Sequence, residues 1–382
     1  MKYKVLHVVN VSFVLPYYLG KQIKYFTDKD YEIAIACSES EDFYLFCLEH
    51  NAKPVPLKIT RKFDFLNDIY SILKLISHIR KNKFNIIIGH TPKGGLISMM
   101  AAYITRTKKR IYFRHGLMFE TSKGFKRKLL IIIEKLTGSL ATDVICVSNS
   151  VLEVSNNLNL SSSFKNKILN LGTCNGLDSI NKFNPSIIDV NKKFNLRSKL
   201  NINTNDIVIG FVGRIVKDKG IEELITAWKT FHTLHNNVKL ILVGPFENRD
   251  AVNPTISNYI LNEKSIIYTG EQSDTVLYYS IFDIFILPSY REGFPTVVLE
   301  ASSMQVPVIT TKSTGCVDSI QEHITGIYCD LNINSILKSL DFYINNPLLR
   351  KNHGTNGRDF VIKNFNQKLI WKQIEQIITN PY

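Results

Sequence analysis

Short β-branched, apolar runs recur along this chain between longer segments of helical periodicity, and that alternation restricts the fold more than any other feature. The runs are Lys4 to Val9, Glu32 to Ala36, Asn85 to Ile88, Arg110 to Phe113, Val144 to Val147, Ile207 to Val212, Lys239 to Val243, Ser265 to Tyr268, Ile284 to Leu287 and Val306 to Thr310. Strands separated by helices pair in parallel, and a parallel sheet needs helices to cover it. The connecting segments fit this: Phe65, Leu66, Ile69, Ile72, Leu73, Ile76 and Ile79 fall at helical spacing, with Asp68, Lys74 and Arg80 elsewhere on the wheel. That spacing predicts a helix with one buried face.

The 382 residues are long for one α/β domain and ample for two. From Cys174 to Asn205 the chain turns polar and rich in Asn, Lys and Ser, with Gly176 and Pro185, which places a linker at 181–205. The domains are then 1–180 and 206–364. An amphipathic helix in 365–382, following Gly354 and Gly357, closes the second domain or returns to the first. Six cysteines without C-x-x-C spacing argue against a disulfide framework and a zinc site, and fit a reducing cytoplasm. Met1 and Lys2 lead straight into an apolar strand with no signal-peptide pattern, and the apolar run Leu129 to Ile133 is too short to span a bilayer.

The net charge of +14 is uneven: residues 1–180 hold 26 Lys/Arg against 14 Asp/Glu (+12), and the remainder 21 against 19 (+2). Within Thr105 to Lys128, the residues Arg106, Lys108, Lys109, Arg110, Arg114, Lys123, Lys126, Arg127 and Lys128 are opposed only by Glu120. Such a cluster suits an anionic membrane surface or a pyrophosphate, the plain alternative being a solvated basic face. No helix-turn-helix, zinc-finger or RNP-like pattern accompanies it, so no nucleic-acid partner is expected.

Two segments have the layout of an anion site. The strand ending at Val212 runs into Gly213-Arg214-Ile215-Val216-Lys217-Asp218-Lys219-Gly220 and then a helical pattern. Gly213 permits close backbone approach, and Arg214 and Lys219 are able to converge on one diphosphate. Later, Tyr290-Arg291-Glu292-Gly293-Phe294-Pro295-Thr296-Val297-Val298-Leu299-Glu300 follows an apolar strand. Gly293 suits a sharp turn and Pro295 the first position of a helix whose opening amides attract anions. Glu292 and Glu300 flank that helix start and can accept hydrogen bonds from hydroxyl groups.

Through Gly213-Arg214-x4-Lys219-Gly220 and Glu292-x7-Glu300 the second half resembles the retaining glycosyltransferase family 4, of the GT-B fold. His90-Thr91-Pro92-Lys93-Gly94-Gly95, Arg114-His115-Gly116-Leu117, Phe119-Glu120-Thr121, Lys123-Gly124, Val147-Ser148-Asn149-Ser150, Asn175-Gly176-Leu177-Asp178 and Thr314-Gly315-Cys316-x-Asp318 resemble its bacterial capsule and O-antigen branch. The resemblance implies two Rossmann-like domains with parallel sheets facing across a cleft. It implies that Arg214 and Lys219 neutralise the donor diphosphate beside Gly213, and that Glu300 holds the ribose. Glu292, with backbone at Gly293, Phe294, Pro295, Thr296 and Val297, would contact the transferred sugar, as would His115. His115, Arg214, Lys219 and Glu292 are the implied catalytic group.

One departure stands out. Many relatives carry a Gly-Gly turn after the first strand, whereas here Asn10 precedes an apolar, aromatic loop, Val11 to Gly20. Phe13, Tyr17 and Tyr18 of that loop, with Lys93, Arg114 and Lys123, are the candidates for the acceptor or membrane side.

The expected reaction moves a sugar from a nucleotide-sugar, UDP-linked by preference with GDP open, to an undecaprenyl-diphosphate-linked saccharide in surface polysaccharide synthesis. The protein would work in the cytoplasm at the inner face of the membrane. The nucleotide-sugar is a substrate, and no cofactor or metal is expected, because Asp28-Lys29-Asp30 is the nearest approach to a D-x-D cluster and falls in a first-domain turn. Two other readings stay open: a nucleotide-sugar epimerase of similar architecture, and a non-enzymatic basic protein binding membranes or nucleic acid.

Overall fold

The computed structural model describes residues 3–60 and 64–380. Met1, Lys2 and the last two residues of the 365–382 segment lie outside it. The chain divides into two compact units, one formed by residues up to Gly176 with the segment from Gln367 onward, the other by Leu177–Asn366.

The N-terminal unit carries β1 (Lys4–Val8), β2 (Glu32–Cys37), β3 (Lys53–Pro56), β4 (Ile86–His90), β5 (Lys109–Arg114), β6 (Asp143–Cys146) and β7 (Asn166–Ile168). They form one sheet in the order β3-β2-β1-β4-β5-β6-β7, parallel throughout. The inner strands are buried along nearly their whole length, as strands covered on both faces must be. The C-terminal unit carries β8 (Ile207–Val212), β9 (Val238–Val243), β10 (Ile266–Gly270), β11 (Ile284–Leu287), β12 (Val308–Thr311) and β13 (Gly326–Cys329), in the parallel order β10-β9-β8-β11-β12-β13. Each unit has its own apolar core, and all six cysteines are buried and free.

Residues 181–205 are not a linker. Phe183 and Ile202 are buried in the C-terminal core, Val190–Lys199 is a helix, and the Arg358 guanidinium donates to the carbonyls of Phe183 at 3.1 Å and Ser303 at 2.6 Å, and to Asn184 Oδ1 at 3.0 Å. The segment is polar because a strap needs few apolar anchors, and one of its carbonyls, that of Phe183, is satisfied by a distant arginine. Gly354 and Gly357 precede the last helix, as expected, but not in a loop. They lie inside the helix Pro347–Asn364, where a Cβ on Gly354 would come 2.1 Å from the Gln305 carbonyl oxygen, so glycine is what lets the two backbones meet. The terminal helix Gln367–Thr379 packs on the N-terminal unit, where Trp371 Nε1 donates to Asn175 Oδ1 at 2.8 Å and Glu375 accepts from Tyr25 Oη at 2.9 Å and Lys29 Nζ at 2.5 Å.

The helix Phe65–Asn82 forms, but its stripe is only partly buried. Ser71, Leu75, Ile76 and Ile79 face inward, while Phe65 (78% exposed), Leu66 (79%), Ile69, Tyr70 and Leu73 face outward. The small Ser71 belongs to the buried face, its hydroxyl donating to the Lys58 carbonyl at 2.8 Å.

The basic cluster is also divided. Arg114 is fully buried: its Nε donates to Glu134 Oε2 at 2.9 Å, its Nη1 to Ser161 Oγ at 3.3 Å, and Tyr112 Oη donates to Glu134 Oε1 at 3.0 Å. It therefore meets no acceptor or membrane, because the end of β5 points its side chain under the helix Gly124–Leu140, which supplies Glu134. Lys109 is buried against Asp143 at 3.1 Å. Lys108, Lys123, Lys126, Arg127 and Lys128 are exposed. Glu134→Ala, which strands the Arg114 charge, is expected to lower stability by about 3–5 kcal/mol, read from urea unfolding, whereas replacing both partners by Leu and Met should cost less.

Candidate functional site

In a parallel sheet every strand delivers its following loop to the same edge, and both groups of candidate residues lie at carboxyl-terminal strand ends. In the C-terminal unit β8 ends at Val212, Gly213 takes φ +149°, and a single 3₁₀ turn, Lys217–Lys219, leads to the helix Ile221–Leu234. Gly220, the residue before that helix, has φ +68°, and a Cβ there would sit 1.9 Å from the Pro288 carbonyl oxygen. Only glycine fits, and its fit brings the loop of Arg214 and Lys219 against the segment that follows β11.

Asp218 ties the two segments. Its carbonyl accepts from the Tyr290 amide at 2.9 Å and Ser289 Oγ at 3.0 Å, and its carboxylate accepts from Arg291 Nη2 at 2.7 Å. Held this way, Lys219 forms an ion pair with Glu292, both side chains largely sheltered. Arg214 is exposed and pairs with Glu247. An ammonium has three donors and a guanidinium five, so each cation keeps donors beyond those its carboxylate takes.

The second segment turns through Gly293 and Phe294 and opens the helix Thr296–Ser303. Pro295 stands one position earlier than its sequence suggests, as the N-cap residue (φ −79°, ψ 92°) and not the first helical residue. The amides of Thr296 and Val297, in the first turn, have no intrahelical acceptor, and the helix dipole makes that end electropositive. Phe294 packs on Phe365, ring centroids 5.3 Å apart. Glu300 is buried one turn into the helix and accepts from Tyr279 Oη at 2.8 Å. Burial pushes its carboxyl up to about 7, against the opposing hydrogen bond from Tyr279 and the charge of Lys182. Among the described residues no group of three His, Cys, Asp or Glu is placed to hold a metal ion.

In the N-terminal unit His115 follows β5, half-buried, with Tyr18 stacked on it at 3.7 Å and 7° between planes. Its Nε2 lies 3.0 Å from His90 Nδ1, and His90 Nε2 lies 3.1 Å from His7 Nδ1. Desolvation pushes His7 and His115 down to about 3 and His90 well below 6.5, the last assisted by its two imidazole neighbours. Phe13 and Tyr17 are exposed at 50% and 61%. Lys93 is not offered to solvent: its Nζ lies 2.8 Å from Asp68 Oδ1 and donates to Thr60 Oγ1 at 2.9 Å. Lys123 is exposed at the start of the helix Gly124–Leu140.

In the C-terminal unit Lys219 is brought to Glu292, while Gly213 and Arg214, paired with Glu247, lie at the same edge of the sheet as the segment Glu292 to Glu300. Given no role from the sequence were Asp218, Glu247 and Tyr279, and the companions of His115: His7, and His90, which enters only as the start of a motif. His7 breaks an apolar strand and His90 ends another, and a titratable residue inside a buried run was the available signal.

Residues 4–148 match the family model described as glycosyl transferase 4-like, and residues 192–380 that of glycosyl transferases group 1. The capsular polysaccharide biosynthesis glycosyltransferase CapM of Staphylococcus aureus is 35% identical, over 98% of this chain and 96% of its own length. An N,N'-diacetylbacillosaminyl-diphospho-undecaprenol alpha-1,3-N-acetylgalactosaminyltransferase of Campylobacter jejuni is 27% identical over 77% of this chain and 76% of its own. Among solved structures, a glycosyltransferase from Rickettsia africae superposes with a TM-score of 0.79 at 21% identity, covering 100% of both chains. HepE of Anabaena in complex with UDP and glucose gives 0.82 at 17% identity, covering 99% of this chain and 100% of its own. These similarities show the GT-B fold.

Two opposed pH effects follow from the site. The folded protein keeps its three linked histidines neutral, so their stabilisation is complete above 6.5 and drains away as pH falls toward about 3. Glu300 works the other way: with its folded value near 7 against 4.5, stabilisation present below 4.5 is lost as pH rises through 7. Urea unfolding of Glu300→Gln between pH 5 and 8 should lack the alkaline decline of the parent protein while keeping the acid one.

Proposed function

This chain belongs to glycosyltransferase family 4, and from that premise we propose that it carries a sugar from a UDP-sugar to an undecaprenyl-diphosphate-linked saccharide, with retention at the anomeric carbon. The reaction serves surface polysaccharide synthesis and takes place at the inner face of the cytoplasmic membrane. The observation that carries this reading is the Lys219–Glu292 pair, with Arg214 and the opening amides of Thr296–Ser303 at the same carboxyl edge of the C-terminal sheet. The names of the capsular and undecaprenol-linked relatives support the acceptor class and pathway. UDP in the HepE complex supports the choice of base.

Departure of a nucleoside diphosphate places charge on phosphate oxygens, and fixed cations and amides stabilise that charge more in the transition state than in the bound substrate. Arg214 and Lys219 supply it, with Glu247 and Glu292 holding them in place, so that no metal is needed. Glu292 and the turn at Gly293 contact the transferred sugar. Glu300, ionised on binding, accepts from the ribose hydroxyls. No side chain is a clear nucleophile, so the departing phosphate takes the acceptor's proton on the face it leaves, while His115 orients the sugar. Transfer from UDP-sugar in EDTA should fall about 10²–10³-fold in kcat for Arg214→Ala or Lys219→Ala, with NMR of the product showing the donor's anomeric configuration. An inverted product, or a requirement for added magnesium, contradicts the mechanism.

Among the described residues no helix is long and apolar enough to cross a membrane. Support for a surface association comes from the helices Phe65–Asn82 and Gly124–Leu140, which pack on either side of the helix Pro92–Ile104 and all begin at the carboxyl edge of the N-terminal sheet. Exposed Phe65 and Leu66 start one, and exposed Phe125 among Lys123, Lys126, Arg127 and Lys128 starts the other. Each exposed cation adds about 1 kcal/mol of attraction to anionic headgroups, and the aromatic and aliphatic tips enter the interface. In flotation with phosphatidylglycerol vesicles, Phe65→Ser with Phe125→Ser should weaken binding at high salt, and Lys126→Ala with Arg127→Ala mainly at low salt. Equal flotation of all variants contradicts this surface.

A further inference from the structure

His7 in β1, His90 at the end of β4 and His115 just after β5 come from three adjacent strands, and their rings form one hydrogen-bonded chain: His7 Nδ1 to His90 Nε2 at 3.1 Å, His90 Nδ1 to His115 Nε2 at 3.0 Å. A neutral imidazole has one N–H and one lone pair, so each contact needs a donor on one side and an acceptor on the other. If His7 donates from Nδ1, His90 must accept at Nε2 and donate from Nδ1, and His115 accepts at Nε2 and keeps its proton on Nδ1. If the chain runs the other way, His115 donates from Nε2, His90 accepts at Nδ1 and donates from Nε2, and His7 accepts at Nδ1. In either direction all three rings share one tautomer, and the direction decides whether the remaining nitrogen of His115, Nδ1, is a donor or an acceptor.

The rings are also held against rotation. Tyr18 stacks on His115 at 3.7 Å, and Phe113 on His90 at 5.0 Å. Among the described residues no carboxylate hydrogen-bonds to any of the three, so nothing in the chain favours an imidazolium, and the isolated neutral side chain prefers its proton on Nε2. We propose that His7 and His90 are positioning residues that lock His115 as the Nε2–H tautomer, so that its Nδ1 presents a lone pair to a hydroxyl of the bound sugar. This rests on the reading that His115 meets substrate. His90 then acts at one remove from the substrate, through the proton position it imposes on its neighbour.

The test uses the full chain labelled with ¹⁵N-histidine. Long-range ¹H–¹⁵N spectra at neutral pH should show His7, His90 and His115 each with the proton on Nε2. Protons on Nδ1, or a mixture among the three, overturns the proposal without recourse to a variant. His90→Phe keeps a ring in the stack and breaks the chain. It should lower kcat about tenfold with the donor KM unchanged, because the His115 ring loses the contact that fixes its orientation, and let the Nδ1–H tautomer appear at His115 as a minor form, while His90→Gln, able to donate and accept at once, should recover most of the rate. Full activity of His90→Phe beside an inactive His115→Ala overturns the positioning role alone. Full activity of His115→Ala overturns the reading beneath it as well, whatever tautomers the spectra show.

Discussion

Parallel pairing governs what the rest of this molecule can be. Both sheets are parallel throughout and their inner strands are buried, so strand main-chain groups are consumed by the ladder and strand side chains by the core. Chemistry is left to the loops and helix starts that the strands deliver to one edge. The proposed anion site of the C-terminal unit and the histidine chain of the N-terminal unit are two uses of that edge. One is built from cations braced by carboxylates, the other from rings stacked and hydrogen-bonded in a row.

The same constraint explains which elements could be read from the sequence. A strand buried on both faces is a continuous β-branched run, and β1, β2, β4, β5, β6, β8, β9, β11 and β12 stand out for that reason. The strands that escaped notice, β3, β7 and β13, are each at the edge of a sheet. β3 contains Pro54 and Pro56, which an edge tolerates because one side needs no donors, and β7 has only three residues. The outward turn of Phe65, Leu66 and Leu73 was likewise hidden, since periodicity reports that a face is apolar and not what covers it.

Local motifs gave the residues proposed for the donor, because glycine turns, cations and helix starts are written in consecutive positions. What they could not give was pairing across sequence distance. Lys219 meets Glu292, and Arg214 meets Glu247, across loops of different strands. Arg114 looked like a surface cation beside Lys123 until the helix carrying Glu134 was seen to close over it. Charge counted along the chain therefore overstated the basic surface, and the histidine next to it gained partners that no spacing rule links.

In the proposed reaction, donor recognition rests on two cations whose carboxylate partners orient them without exhausting their donors, beside a helix start and a buried glutamate. Hydrogen–deuterium exchange on addition of UDP in EDTA tests this most directly. Slower exchange in residues 213–220 and 292–300 is the predicted result. Unchanged exchange in both segments, or protection that appears only when magnesium is supplied, would contradict it.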